Sequence, residues 1–372
     1  MDAEDVVTPP HVARPLRLRP FPALRLAPSR VGGGASARAF ARPYRDIADR
    51  FVRWEESGQV RRDADAALYL HEYTATGLTI RGLVGALDIS HSTTGLSDAA
   101  VLPHEGIHPE QVADLADRMS EMQMNPAPIL LVHRGTARLR TILREVRAAE
   151  PEHRFTDRSG QYHRVWAITG TGRLARIAHE LEEARAVLAD GHHRYAAYLR
   201  LRAQGGGNRA LDAGLAMLVD QGDTPLFLGA IHRLLRGVTL ADLERLPGTA
   251  GTTRVEPAEA VAALGSDTLV ATDGHAWATL HLPAMDDRLA VEVLQDLLPA
   301  LRRPPSSIGY AHSVDEALQG VARRRGTAVL MPAPEFDDVL RLAQAGRLLP
   351  EKATSFQPKP SVGVLIRSLR AG

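Results

Sequence analysis

In the run Val187–Tyr195 (VLADGHHRY), an acid, a glycine, two imidazoles and a guanidinium occupy five consecutive positions behind an apolar stretch. Read as a strand ending at Asp190, a turn at Gly191 and a helix opening at His192, the segment has a definite chemistry. Amides at a helix N-terminus have no intrahelical acceptor and attract an anion. Arg194 adds a forked donor suited to phosphate. His192 and His193 suit donation to phosphoryl oxygens, proton transfer or metal ligation. Asp190 suits orienting a histidine, holding a cation or capping the helix. A plainer structural assignment uses the same residues: Asp190 as cap, His193 as a buried hydrogen bonder, Arg194 paired with a carboxylate. The strand–turn–helix setting, which ligand sites exploit, favours the first.

A second candidate pair is His104–Glu105, in the turn-rich segment LPHEGIHPE. Glu105 suits a general base or a cation ligand shared with phosphates, and with Asp190 it is the candidate holder of a magnesium ion. The letters His104–Glu105–Gly106–Ile107–His108 also spell HExxH, but that zinc motif needs both imidazoles on one helical face. Pro103, Gly106 and Pro109 argue against a helix there. Lys352 and Lys359 are the only lysines of the chain. A compact mobile charge of this kind suits a phosphoryl group in transfer. Phe356 and Pro358 would anchor their segment, and Thr354 and Ser355 would help fix it. The candidate catalytic set is therefore His104, Glu105, Asp190, His192, Lys352 and Lys359. The candidate phosphate-binding set is Gly191, His192, His193 and Arg194.

These residues need elements to hold them. Ala67–Tyr73 alternates as a strand, and Leu78–Asp88 continues as a second strand or begins a helix, with a hairpin through Thr74–Gly77. Pro109–Met124 predicts a helix with Val112, Leu115, Met119 and Met122 on one stripe, the methionines serving as core filler. Strands are expected at 128–133, 162–168, 186–190 and 213–219, and helices at 137–149, 173–185 and 194–203, the last stopped by Gly205–Gly207. Beyond residue 240 a smaller region carries strands at 268–273, 275–282 and 327–331 and helices at 239–246, 289–297, 314–323 and 336–345. Ser361–Leu369 reads as a final strand. The proline-rich first 50 residues read as short strands and irregular chain laid over another surface. The pattern predicts an α/β or α+β fold with a mixed-sheet core (1–240), a smaller α/β region (241–349) and a terminal segment (350–372) returning to the core.

Composition narrows the chemistry. The 372 residues carry no cysteine, which removes disulfides, thiolate metal sites and a cysteine nucleophile. Lys and Arg total 45 against 44 Asp and Glu, a net charge of +1 that makes no global case for nucleic acid. The beginning of the chain does not read as a secretory leader, and no run approaches a membrane span, so a cytoplasmic protein without membrane contact is expected. Gly32–Gly34 lacks the GK[ST] of a P-loop, Ser92 lacks a nucleophile elbow, and Arg323–Arg325 reads as a solvated helix end.

VLADGHHRYAA, together with dispersed motifs, closely resembles the domain-of-unknown-function 1015 family. Arg19–Pro20–Phe21 with Ala23, Leu24 and Arg25 is similar to its opening motif, and Leu102–Pro103–His104–Glu105 to an internal one. Pro350–Glu351–Lys352 with Thr354, Ser355, Phe356, Pro358 and Lys359 is similar to its terminal signature. Arg42–Pro43–Tyr44 departs from the family's usual pattern, since Arg42 and Arg45 replace a proline and an aspartate. More distantly, Gly191, His193, Arg194 and Ala197 resemble the box of the ParB/sulfiredoxin-like superfamily. That superfamily holds nucleotide phosphates on a strand–turn–helix and includes free-serine kinases. Its reductase branch needs a cysteine and is excluded here. The resemblance implies a nucleotide cofactor (ATP, ADP or CTP) and a small-molecule substrate. It points to a nucleotide-dependent phosphotransferase acting on a small hydroxylated metabolite. A non-enzymatic nucleotide-binding switch and a metal-dependent phosphohydrolase using His104, Glu105, Asp190 and His192 are the alternatives. His104–Glu105, Asp190–Arg194 and Lys352–Lys359 are expected to line one cleft.

Overall fold

A computed structural model describes residues 6–32, 47–323 and 326–370. Gly33–Gly34, Arg42–Arg45 and Arg324–Arg325 lie outside the described residues. The chain divides into two compact units. The first comprises residues 1–226, 343–346 and 358–372, and the second 227–342 and 347–357.

A mixed sheet of nine strands, counted among the described residues, forms the first unit. In chain order its strands are β1 (Leu18–Arg19), β2 (Leu68–Ala75), β3 (Leu78–Asp88), β4 (Val101–Leu102), β5 (Ile129–His133), β6 (His153–Thr156), β7 (Tyr162–Ile168), β8 (Ala186–Asp190) and β9 (Ala213–Asp220). They lie side by side as β6-β7-β2-β3-β9-β5-β8-β4, with β1 pairing β3. The β9/β5 and β8/β4 pairs are parallel and the rest antiparallel. The hairpin joining β2 to β3 turns through Thr76 and Gly77, both left-handed (φ 48° and 82°), the backbone that a tight two-residue turn demands. Among the described residues the α-helices of this unit are α1 (Ile47–Glu56), α2 (Pro109–Met122), α3 (Ala137–Arg147), α4 (Thr171–Leu181) and α5 (His192–Gln204).

The sheet's two faces have different work. Leu68, Leu70, Leu83, Leu87, Ile129, Leu131, Ala216, Leu218 and Leu188 point to one side and join Met119, Leu139, Ile177, Tyr195 and Leu201 from the helices in one buried cluster. Each such leucine stabilises the fold by about 1.5–3 kcal/mol over leaving it in water. Tyr69, Val84, Met217 and Leu130 align across the other face. Chain near both ends covers it: the Ala23 amide donates to the Tyr69 hydroxyl (3.0 Å), and the Tyr73 hydroxyl donates to the Pro358 carbonyl (2.6 Å).

Several expected boundaries move. α2 stops at Met122 because Gln123 turns left-handed (φ 53°), and Met124–Asn125 pairs with Arg367–Ser368. Met119, Met122 and Met124 are buried, as core filler should be. α4 ends at Leu181, short of Arg185, whose guanidinium reaches the Leu96 and Ala99 carbonyls. The expected final strand shrinks to Ile366–Ser368, because the chain before it turns through Gly363, left-handed at φ 94°. α5 ends at Gln204, with Gly205 closing it.

Among the described residues the second unit is built on a six-stranded antiparallel sheet, with Trp277–His281, Thr268–Thr272, Gly326–Leu330 and His232–Arg236 in its interior. Phe227–Arg236 belongs to it because His232–Arg236 pairs with Ser307–Ala311 and Gly326–Leu330. Among the described residues no helix is long and apolar enough to cross a membrane.

Candidate functional site

Regular alternation would send Asp190 to the same face as Leu188, into the apolar core. It does not go there, because β8 carries an irregularity. Leu131 pairs Leu188, but Leu130 pairs Asp190, so Ala189 is an extra residue. The bulge turns Asp190 onto the face of Leu130 and Met217, as one inserted residue must. Gly191 follows with φ 92°, a left-handed position only glycine holds without strain, and α5 begins at His192. A Cβ at Gly191 would meet the Arg194 guanidinium at 3.0 Å.

Asp190 sits between two cations. Its Oδ2 accepts from Arg194 at 2.7 Å, and its Oδ1 pairs with the Lys359 ammonium. Burial alone would raise its pKa, but the charges of Arg194 and Lys359 outweigh that and hold the carboxyl below its usual range. Arg194 also donates to the Ala127 carbonyl (3.2 Å) and the Pro128 carbonyl (2.7 Å). Its fork is thus committed to three protein oxygens. It locks the turn to the chain entering β5 and does not stand ready for a phosphate.

The two histidines take roles the sequence did not separate. His192 is buried, and its Nε2 accepts from the His104 amide at 3.4 Å. His193 Nε2 accepts from the His108 amide at 3.1 Å, the His108 and His193 rings stacking with centroids 5.8 Å apart. A nitrogen that accepts an N–H has no lone pair left for a metal. Both imidazoles therefore pin the 104–108 segment to the first turn of α5. His104 is fully buried, edge-on to His192 with centroids 4.8 Å apart. Burial pushes its pKa down to about 4, against a hydrogen bond to the Leu188 carbonyl. A neutral ring sealed in this way supports the site without meeting a substrate.

Glu105 is only half-buried. Its placement follows from register: β4 and β8 run parallel with Leu102 beside Val187. The chain leaves both strands at the same edge of the sheet, Glu105 after one and Asp190–Gly191 at the end of the other. His104–Glu105 lies outside any helix, and His108 is the N-cap of α2, so HExxH does not share a helical face. Among the described residues no group of three or more His, Asp or Glu side chains could hold a metal ion. Asp190 has both carboxylate oxygens on cationic groups. The residues therefore do not fit a magnesium ion held directly by Glu105 and Asp190.

Lys359 and Lys352 part company. Lys359 belongs to the first unit and reaches Asp190. Lys352 belongs to the second, left-handed (φ 57°), with its carbonyl accepting from Arg233 at 2.9 Å. Of the three expected clusters, the structure joins His104–His108 to His192–His193 and Lys359 to Asp190.

A family model agrees with the family motifs. The family described as "Protein of unknown function (DUF1015)" matches residues 2–297. The chain belongs to this family. No curated protein matches it in sequence. Among solved structures, it is similar to a free serine kinase mutant in complex with ADP, at 14% identity and TM-score 0.41, over 76% of this chain and 92% of that one. A conserved hypothetical protein from Pyrococcus furiosus is similar at 16% identity and TM-score 0.39, over 77% and 95%. SbnI with a C-terminal truncation from Staphylococcus aureus is similar at 13% identity and TM-score 0.41, over 76% and 87%. At such scores the activities of those proteins do not transfer to this DUF1015 chain.

Residues that hold Lys359 went unnoticed in the sequence. Gln161 holds its segment at Lys359 and Ser361, Tyr73 holds it at Pro358, and Asp157 organises the turn beneath. The Asp157–Arg158–Ser159–Gly160 spelling is a turn signal between two strands and would have pointed to Asp157. Nothing local marks Gln161.

The buried imidazoles make stability depend on pH. His104 and His133 both have pKa values lowered by burial from 6.5 to about 4. Between those limits the unfolded chain binds a proton at each that the native state refuses. Stability is therefore complete above pH 6.5 and falls as pH drops towards 4, by up to about 1.4 kcal/mol per pH unit for each residue. Urea unfolding across this range is expected to show the decline. A flat profile from pH 7 to 4 would contradict the burial argument.

Proposed function

We propose that this protein is a nucleotide-dependent phosphotransferase acting on a small hydroxylated metabolite, with ATP or another nucleotide as phosphoryl donor. The observation that carries the reading is the Asp190 carboxylate held between Arg194 and Lys359 where a strand passes through a left-handed glycine into a helix. At the turn itself, Glu105 set apart, two cations stand against one acid beside a helix N-terminus, the electrostatic setting a phosphate prefers.

In this reading the main chain at Gly191–Arg194 receives the phosphates. Asp190, Arg194, His192 and His193 hold that turn, and His104 supports it from below. Lys359, whose side chain is 49% exposed, moves from Asp190 to the phosphoryl group and offsets its charge. Glu105 takes the acceptor's hydroxyl proton as its oxygen forms a bond to phosphorus. The phosphorus–oxygen bond to the nucleotide breaks, and the nucleotide, one phosphate shorter, leaves with the electron pair. A divalent ion brought by the nucleotide would be held by the phosphates and would offset their charge, with Asp190 kept to its two cations. Lys352 has no assigned step.

The test is a product-resolved assay with nucleotide, magnesium and pooled hydroxylated metabolites, serine included. A phosphorylated acceptor is the expected product. Inorganic phosphate without an acceptor would favour a hydrolase. Nucleotide binding that raises thermal stability without any turnover would favour a regulatory switch. Neither binding nor product would end the phosphate-site reading.

A further inference from the structure

Lys359 hangs on a four-carbon stem, and such a stem does not settle by itself on one carboxylate. Its main chain, however, is gripped on both sides. The Gln161 side-chain amide donates to the Lys359 carbonyl at 3.0 Å, and its Oε1 accepts from the Ser361 amide at 3.2 Å. This is the two-bond pattern of a strand pair, made by a side chain. The Tyr73 hydroxyl holds the Pro358 carbonyl at 2.6 Å, and the Ser159 and Ser361 hydroxyls meet at 3.3 Å.

The grip has a rigid base. The Gln161 amide donates to Asp157 Oδ1 at 2.9 Å, and the Gln161 carbonyl accepts from the Asp157 amide at 2.9 Å. Asp157 Oδ2 meets His163 Nε2 at 3.1 Å, and His163 Nδ1 meets His71 Nε2 at 3.0 Å. Asp157, His163 and His71 are all buried. If the carboxylate accepts from His163 Nε2–H, then His163 Nδ1 accepts from His71 Nε2–H, which fixes both tautomers. Burial would raise the Asp157 pKa, but hydrogen bonds from Ser361, His163, Ser159 and Gln161 hold it below the usual range, so the base stays ionised.

We propose that Gln161 is a positioning residue for Lys359: through the Asp157–His163–His71 base it sets the lysine backbone so that the ammonium reaches Asp190. The ion-pair part stands on geometry alone. The part concerning catalysis rests on the proposed function.

The chain has only two lysines, so brief acylation followed by mass spectrometry reads Lys359 against Lys352 as an internal reference. The amine paired with Asp190 is expected to react several-fold more slowly than Lys352 in the native protein. Gln161→Ala is expected to raise the Lys359:Lys352 ratio at least about threefold. An unchanged ratio in a folded Gln161→Ala protein overturns the proposal. Should that variant fail to fold, Gln161→Glu keeps the size and the acceptor for Ser361 but loses the donor to Lys359. It is expected to raise the ratio part of the way, and no rise would again overturn the proposal. ATP binding supplies the second arm. Gln161→Ala is expected to weaken it about three- to tenfold, and to have no further effect in a Lys359→Ala background. Equal weakening in both backgrounds would make Gln161 merely structural. A raised ratio in a protein that binds no ATP would uphold the clasp and defeat the phosphotransferase reading.

Discussion

Replacing Glu105 with glutamine is expected to lower turnover by a factor of roughly 10² to 10⁴, the usual contribution of a positioned general base. Nucleotide affinity should change little. The substitution keeps size and hydrogen-bonding reach and removes only the proton-accepting carboxylate. It leaves untouched the Asp190–Lys359 and Asp190–Arg194 pairs and the histidine contacts that pin the 104–108 segment. Initial rates of acceptor phosphorylation and calorimetric titration with nucleotide separate the two effects. A parallel fall in affinity and rate would mean that Glu105 shapes the site and does not act on the acceptor. An unchanged rate would assign the base elsewhere. The half-burial of Glu105, beside a fully buried His104, is why the larger effect is expected at the glutamate.

Arg194→Ala is expected to destabilise the fold by about 2–4 kcal/mol and to weaken nucleotide binding at least about tenfold. The carbonyls of Ala127 and Pro128 each lose a charged donor, and Asp190 keeps only Lys359. With its tether gone, the Gly191 turn is free to shift away from β5. Arg194→Lys should recover little, since a single ammonium cannot serve three oxygens in a fixed fork. Urea denaturation gives the first number and titration the second. A loss below about 0.5 kcal/mol would show that the three contacts are not made in solution.

Much of the fold was legible because it follows from local periodicity. Tyr162–Ile168 has the boundaries its pattern implies, the helix expected from Val314 begins there, and the β2–β3 hairpin closes through the residues its turn signal named. The DGHHR segment was legible as strand, turn and helix for a similar reason. An apolar run ends in an acid, a glycine supplies the left-handed step, and a helical pattern follows. Roles within it were not legible. His192 and His193 read equally well as ligands or as hydrogen-bond acceptors. Only the His104 and His108 amides, 88 and 85 residues away, decide for the second.

The residue chemistry, the absence of cysteine, the family motifs and the α/β alternation were determined by the sequence itself, because each is a property of neighbouring positions or of composition. Three things waited on the tertiary structure. The bulge at Ala189 depends on how β8 pairs with β5, and without that pairing Asp190 would be assigned to the core. The choice of Lys359 over Lys352 depends on which unit each segment joins, although both stand in one terminal motif. The Gln161 grip depends on a contact spanning 198 residues. Each is a long-range pairing that closes a large loop, and no local preference in the chain encodes its partner.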